Sequence, residues 1–193
     1  MKTIALFLVG LVLSVSTAFA QTQTVQQVKK EMKQEKRAER KAYDQAYDKA
    51  VFNQAYTSLK DSLFVLQAYQ FTFQDGSTYE VNSTTNFIHM NGDKVFVQTA
   101  SNLPISGQNG LGGITLKGYP SNVKFTQDKH GNVTMTMDVF GILMNAQIVI
   151  NLYVGGNNAQ ATIYPTFSNN NLTMQGNILP LSESSIFQSG NYY

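Results

Sequence analysis

From Asp61 onward the sequence alternates with a period of two, and turn signals cut the alternating segments at short intervals. Little freedom remains for such a chain, because each strand buries one face through every second residue and needs backbone partners on both edges. The predicted strands are 63–73, closed by Asp75-Gly76, then 78–82, 87–90 and 94–99. The last two flank Asn91-Gly92, the strongest hairpin signal present, since a type I′ turn needs positive φ at both central positions. A glycine-rich loop with Pro104 leads to strands at 114–118 and 123–127, and Asp128-Lys129-His130-Gly131-Asn132 turns into 133–140. Gly155-Gly156-Asn157-Asn158 and Ser168-Asn169-Asn170-Asn171 separate the remaining strands at 145–154, 159–167 and 172–179. Short strands, tight turns and no second helix predict an all-β body over 61–193, an antiparallel barrel or sandwich of about nine strands.

The alternation also says which face is wet. Val133, Met135, Met137 and Val139 share one face of their strand, and Thr134, Thr136 and Asp138 share the other. Downstream, Ile148, Ile150, Leu152 and Val154 oppose Gln147, Asn151 and Tyr153. One face buried and one solvated is the habit of antiparallel sheets.

Residues 21–60 contain no Gly or Pro and are mostly Gln, Lys, Glu, Ala and Arg, so they read as one long helix ahead of the β body. In its second half Ala42, Tyr43, Ala46, Tyr47, Ala50, Val51, Ala55 and Leu59 recur at spacings of three and four and fall on one face. Its first half stacks like charges, Glu35 before Glu39, Lys33 before Arg37 and Lys36 before Arg40, which weakens a helix. A continuous helix from Val25 to Lys60 would be about 54 Å long. Only the tyrosine-bearing half is therefore expected to pack.

The first twenty residues run from a basic start at Lys2 through an apolar stretch to Ser14, Ser16 and Thr17, and end in Ala18-Phe19-Ala20. That order predicts a cleaved secretory signal peptide over 1–20, with Gln21 as the mature N-terminus. The apolar run is about half the roughly twenty residues a membrane span needs. No Cys follows it to carry a lipid, so the expected location is periplasmic or secreted, with no transmembrane span in the mature chain.

Four stretches resemble a known family: Val81-Asn82-Ser83-Thr84-Thr85-Asn86-Phe87-Ile88, Gly110-Leu111-Gly112-Gly113-Ile114-Thr115, Gly118-Tyr119-Pro120-Ser121-Asn122-Val123, and the closing Leu179-Pro180-Leu181-Ser182-Glu183-Ser184-Ser185-Ile186-Phe187. They are similar to small exported proteins of Gram-negative gut-type bacteria catalogued as domain of unknown function number 4251. The resemblance spans signal, charged helix and β body. It implies an envelope protein and carries over no catalytic residue, ligand or activity.

Composition excludes several chemistries. Charged residues are 13% of the chain, and their sign divides: residues 21–60 carry nine positive and five negative charges, whereas 61–193 carry four and seven. Nucleic-acid binding by the β body is disfavoured, because neutralising phosphates takes clustered Lys and Arg. There is no Cys, which removes disulfides, thiol catalysis and thiolate metal sites. The two histidines, His89 and His130, sit in a strand and a turn, and their spacing brings neither to a partner such as Asp93 or Asp128. Gly107, Gly110, Gly112 and Gly113 do not form a phosphate cradle, since a strand rather than a helix follows them. Glycoside hydrolysis by paired carboxylates would draw on Asp75, Glu80, Asp93, Asp138 or Glu183. Met90, Met135, Met137, Met144 and Met174 read as core packing more than as an adaptable ligand cavity. Asp61-Ser62-Leu63 resembles a short bacterial O-glycosylation acceptor with Ser62 as its hydroxyl. An outer-membrane barrel is disfavoured, because stepping back by twos from Tyr193 gives Asn191, Ser189, Phe187 and Ser185 and not an apolar face.

No residue is singled out as catalytic, cofactor-binding or metal-ligating, and no cofactor is expected. The favoured function is a non-catalytic binding or interaction module of the cell envelope, taking a small apolar ligand, a glycan or a protein partner. The alternative is a carboxylate-dependent glycan hydrolase.

Overall fold

The computed structural model describes residues 2–100, 113, 115–141, 145–166 and 170–187. The chain divides into two compact units, Met1–Ala46 and Tyr47–Tyr193. The first is helical. The helix, α1, spans Lys2–Lys60, so its last turns belong to the second unit along with all of the sheet.

Among the described residues nine strands follow: β1 Leu63–Phe73, β2 Thr78–Glu80, β3 Phe87–Asn91, β4 Lys94–Gln98, β5 Thr115–Gln127, β6 Val133–Gly141, β7 Asn145–Leu152, β8 Asn158–Pro165 and β9 Leu172–Pro180. Each pairs antiparallel with its neighbour in the order β2-β1-β3-β4-β5-β6-β7-β8-β9, and β1 also pairs with β9. The result is a closed eight-stranded barrel, with β2 added where β1 runs past β3. Of the two expected architectures the barrel is the one formed. The strand pairing that closes it runs in register from Phe64↔Pro180 to Phe73↔Leu172. Gly176 lies at the Ala68/Gln70 irregularity in this seam, where a Cβ would strike the backbone of Gln67. Only glycine allows the two strands to approach so closely there.

Alternation sends one face of each of the eight barrel strands to the barrel axis. Phe64, Leu66, Met135, Met137, Ile148 and Ile150 meet there, each with no exposed surface. Met90 and Met174 lie in the same cluster, so four of the five core methionines expected from sequence pack there, and Met144 lies outside the described residues. Val154 departs from its expected inward place because β7 ends at Leu152, leaving Val154 in the following turn and 54% exposed.

The end of α1 joins this core. Ala55 and Leu59 are buried in it, and Phe52 and Tyr56 pack against it. The stripe expected further up the helix does not pack: residues 41–50 are exposed throughout, Tyr43 at 70% and Tyr47 at 61%. From residue 25 onward, the buried and half-buried positions of α1 begin only at Val51, in its final ten residues, about 15 Å of helix.

The helix stops at Ser62, which takes the left-handed conformation with φ 59°. The Asp61 N–H donates to the Thr57 carbonyl at 2.9 Å and the Ser62 N–H to Leu59 at 3.1 Å. The Ser62 carbonyl then accepts the Gly92 N–H at 2.8 Å, tying the helix end to the β3–β4 hairpin. Left-handed helix caps are usually Gly, because a Cβ is strained there.

One predicted break is absent. The Gly118-Tyr119-Pro120-Ser121-Asn122 stretch does not separate two strands but lies within β5, which crosses it with a register shift between Ser121 and Lys124. Pro120 is tolerated, and Asn122 absorbs the extra residue at φ 52°.

Candidate functional site

Among the described residues of the second unit, two places that gather exposed polar side chains beside apolar surface stand out. The first is a groove of about 690 Å³, with Asn53 and Thr57 of α1 and Asp61 just past its end on one wall and Leu63, Pro180 and Leu181 on the other. At its rim the Gln54 Nε2 donates to Glu183 Oε1 at 2.6 Å. Both groups are exposed, so this contact adds little to stability.

The second is the outer wall of β5 to β9. From Val133 to Ser182, Asp138 is the only charged residue in the sequence. The outward positions instead carry Thr, Asn and Gln linked across strands. Thr134 Oγ1 donates to Asn151 Oδ1 at 2.8 Å, Tyr153 OH donates to Gln160 Oε1 at 3.2 Å, and the Thr162 and Thr173 hydroxyls share a hydrogen bond at 3.2 Å. Asp138 stands outward from the middle of β6. Its Oδ2 accepts Asn122 Nδ2 at 2.8 Å and its Oδ1 accepts Gln147 Nε2 at 3.3 Å. The irregularity in β5 makes the first contact, because the positive φ at Asn122 turns its amide onto the neighbouring strand. Beside this cluster Tyr119 lies directly opposite Phe140, at 62% and 54% exposure. On the far side Tyr164, 41% exposed, pairs with Gln147.

The remaining carboxylates are dispersed. Asp75 closes the β1–β2 turn, where the Ser77 side chain hydrogen bond, joined by the Ser77 backbone, holds its carboxyl below the usual range. Glu80 ends β2, Asp93 sits in the β3–β4 turn, and Glu183 meets Gln54. The contacts of Asp75, Asp138 and Glu183 are thus with hydroxyls and amides. Asp128 organises the turn before β6: its Oδ2 takes Asn132 Nδ2 at 2.8 Å and its Oδ1 takes the His130 N–H at 2.8 Å. The Asn132 bond is the main reason its carboxyl is lowered. His130 is thereby fixed in an exposed turn. His89 is outward on β3, half-buried, and burial lowers its imidazole pKa. Among the described residues no group of three His, Asp or Glu is placed to hold a metal.

Gly107, Gly110 and Gly112 lie outside the described residues. Gly113 is described, and a Cβ on it would collide with the Thr99 carbonyl, a close-approach role. Two of the family-like stretches meet in space. The Phe187 N–H donates to the Thr84 carbonyl at 2.7 Å, and Gln98 Nε2 donates to the carbonyls of Thr85 at 3.0 Å and Phe187 at 2.9 Å. Leu181 and Ile186 pack there on Val65, Phe87 and Phe96, a second small core on the outside of the barrel.

The aromatic and amide cluster around Asp138 was not singled out from sequence. Two signals lay in it: Phe140 and Tyr164 stand at positions of the polar face, and the long stretch they occupy carries a single charge.

An apolar axis and a Thr/Asn/Gln exterior reverse the arrangement of a membrane-spanning barrel, whose outside faces lipid. Among the described residues no helix is long and apolar enough to cross a membrane. The protein is thus of the class of small closed antiparallel barrels with a filled core and a polar outside. It matches the family described as Domain of unknown function (DUF4251) over residues 46–178, and it belongs to that family. The crystal structure of a DUF4251 family protein from Bacteroides eggerthii DSM 20697 is similar, with 40% sequence identity and a TM-score of 0.66, covering 77% of this chain and 99% of that one. No curated protein matches the chain.

Proposed function

We propose that this chain is exported through a cleaved signal over residues 1–20 and works in the cell envelope as a non-catalytic binding module. Its contact surface is the outside of the barrel. One observation carries this reading: side chains already fill the barrel axis, while the wall outside is polar, almost uncharged and carries solvent-exposed rings. Exposed apolar groups set among polar ones mark interaction surfaces. The filled axis turns the reading away from a small apolar ligand held within the barrel. The separation of the carboxylates among hydroxyl and amide neighbours weighs against paired acid–base chemistry.

Each half of the proposal has its own test. The protein recovered from periplasm or medium should begin at Gln21 on N-terminal sequencing; Met1 retained in a membrane fraction overturns export. Purified protein incubated with envelope or soluble polysaccharides should generate no new reducing ends. Time-dependent hydrolysis that disappears in Asp138→Asn would make the protein an enzyme.

A further inference from the structure

We infer that the outer wall around Asp138 binds a neutral oligosaccharide, with Tyr119, Phe140 and Tyr164 stacking on pyranose rings and Asp138, Asn122 and Gln147 taking hydroxyls. The inference rests on the binding-module reading and names its site and ligand class.

The placement of the rings is the first argument. Tyr119 and Phe140 are neighbours across one strand pair, about 5 Å apart at the backbone. Tyr164 lies two strands beyond Phe140 and one outward position along, about 12 Å away by strand spacing and rise. Between them, in one cross-strand row, stand Asp138 and Gln147. Rings therefore flank hydrogen-bonding groups along a strip longer than a single sugar. The C–H groups on the face of a pyranose carry slight positive charge and suit the electron-rich face of an aromatic ring, while its equatorial hydroxyls point sideways to polar neighbours.

The hydrogen-bonding groups are already ordered, which is the second argument. Each Asp138 oxygen is held by one amide N–H, from Asn122 and Gln147, and retains further lone-pair capacity. Those lone pairs and the two amide carbonyl oxygens are acceptors for hydroxyl donors. The strained Asn122 backbone fixes one side of the cluster in advance of any ligand.

Charge chooses the ligand class. Asp138 and Lys124, which is paired with Thr136 beside it, together leave the strip without net charge, so neither an anionic polymer nor a cation gains from long-range attraction to it. A neutral, hydroxyl-rich ligand is the complement of such a surface.

The test is native affinity electrophoresis of the mature protein through gels containing soluble neutral polysaccharides (a β-glucan, a mannan, a xylan and a starch) with polygalacturonate as the anionic comparison. At least one neutral polymer should retard the protein and polygalacturonate should not. The double variant Tyr119→Ala/Phe140→Ala should weaken retardation by about tenfold or more, and Asp138→Ala should weaken it too. Tyr119→Phe, which keeps the ring, should bind as the parent does. Because both rings are exposed, circular dichroism melting should match between parent and double variant. Retardation that survives in the double variant overturns the site while leaving a binding module in place. No retardation by any neutral polymer overturns the ligand class. A concentration-dependent dimer that disappears in the double variant would overturn the inference by assigning the patch to self-association. Release of reducing ends would instead count against the non-catalytic reading on which the inference rests.

Discussion

Replacing Leu59 with alanine should cost the β body more than any change higher on the helix. Leu59 has no exposed surface and lies in the main core with Phe64, Leu66 and Met135. Removing its buried carbon atoms forfeits about 2 kcal/mol of transfer free energy, at roughly 0.8 kcal/mol per CH₂. The cavity left behind raises the total to about 3–4 kcal/mol, within the range of buried Leu→Ala changes. In a domain of this size each kcal/mol moves the melting temperature by about 3 °C, so a fall of roughly 10 °C is expected. Tyr47→Ala is the control, since that ring is 61% exposed, and it should shift the midpoint by less than about 0.5 kcal/mol. Urea denaturation of the chain from Gln21 onward, followed by far-UV circular dichroism, measures both, and an unchanged m-value would show that the same surface unfolds in each. Equal midpoints for Leu59→Ala and Tyr47→Ala would refute the claim that the end of α1 is part of the barrel core.

Two further perturbations test single groups. Ser62→Gly should raise stability by a few tenths to about 1 kcal/mol in the same urea assay, because it relieves a left-handed serine at the helix end; a loss of stability would mean that the hydroxyl matters more than the strain. His89 sets a pH dependence: burial places its folded pKa below the usual 6.5, so the unfolded chain takes up the proton first on acidification. Stability should be fully present above about pH 6.5 and decline as pH falls towards the lower folded value, whereas the lowered carboxyls of Asp75 and Asp128 act only below about pH 4. The parent should unfold at lower urea at pH 5 than at pH 7.5, and His89→Gln should flatten that difference; an equally steep variant removes His89 as its source.

Most strands were legible because alternation and turn chemistry agree. Gly155-Gly156 and the strand 133–140 fall where residue type alone puts them, whereas the β3–β4 turn slips by one residue: Asn91 pairs with Lys94, the central pair is Gly92-Asp93, and only Gly92 has positive φ, so the expected type I′ turn at Asn91-Gly92 does not form. Failures came where a local signal had two readings. Gly118, Pro120 and Asn122 together look like a loop, yet β5 bends through them, since neither a missing N–H nor a positive φ stops a strand that has room for an irregularity. Tyr43 and Tyr47 are joined to Leu59 by steps of four through Val51 and Ala55, but each such step drifts about 40° round the helix, so the stripe winds away from the face that Leu59 buries. The Asp138 cluster was invisible for another reason: Tyr119, Asn122, Asp138, Gln147 and Tyr164 lie on four strands, and only the cross-strand register makes them neighbours.

The seam between β1 and β9 has a kinetic consequence. Phe64 finds its partner in Pro180, well over half the chain away. Until that last strand has been delivered, β1 can engage β2 and β3 along one edge only, and a partly emerged chain is an open sheet with both borders free to pair with other molecules. Closure waits on one of the longest loops the chain can form, an arrangement that slows folding and rewards delivery of the whole polypeptide before it commits. Under the export proposed above, the chain would face that requirement on the far side of a membrane, where β1 arrives early and must be kept from other chains until β9 follows.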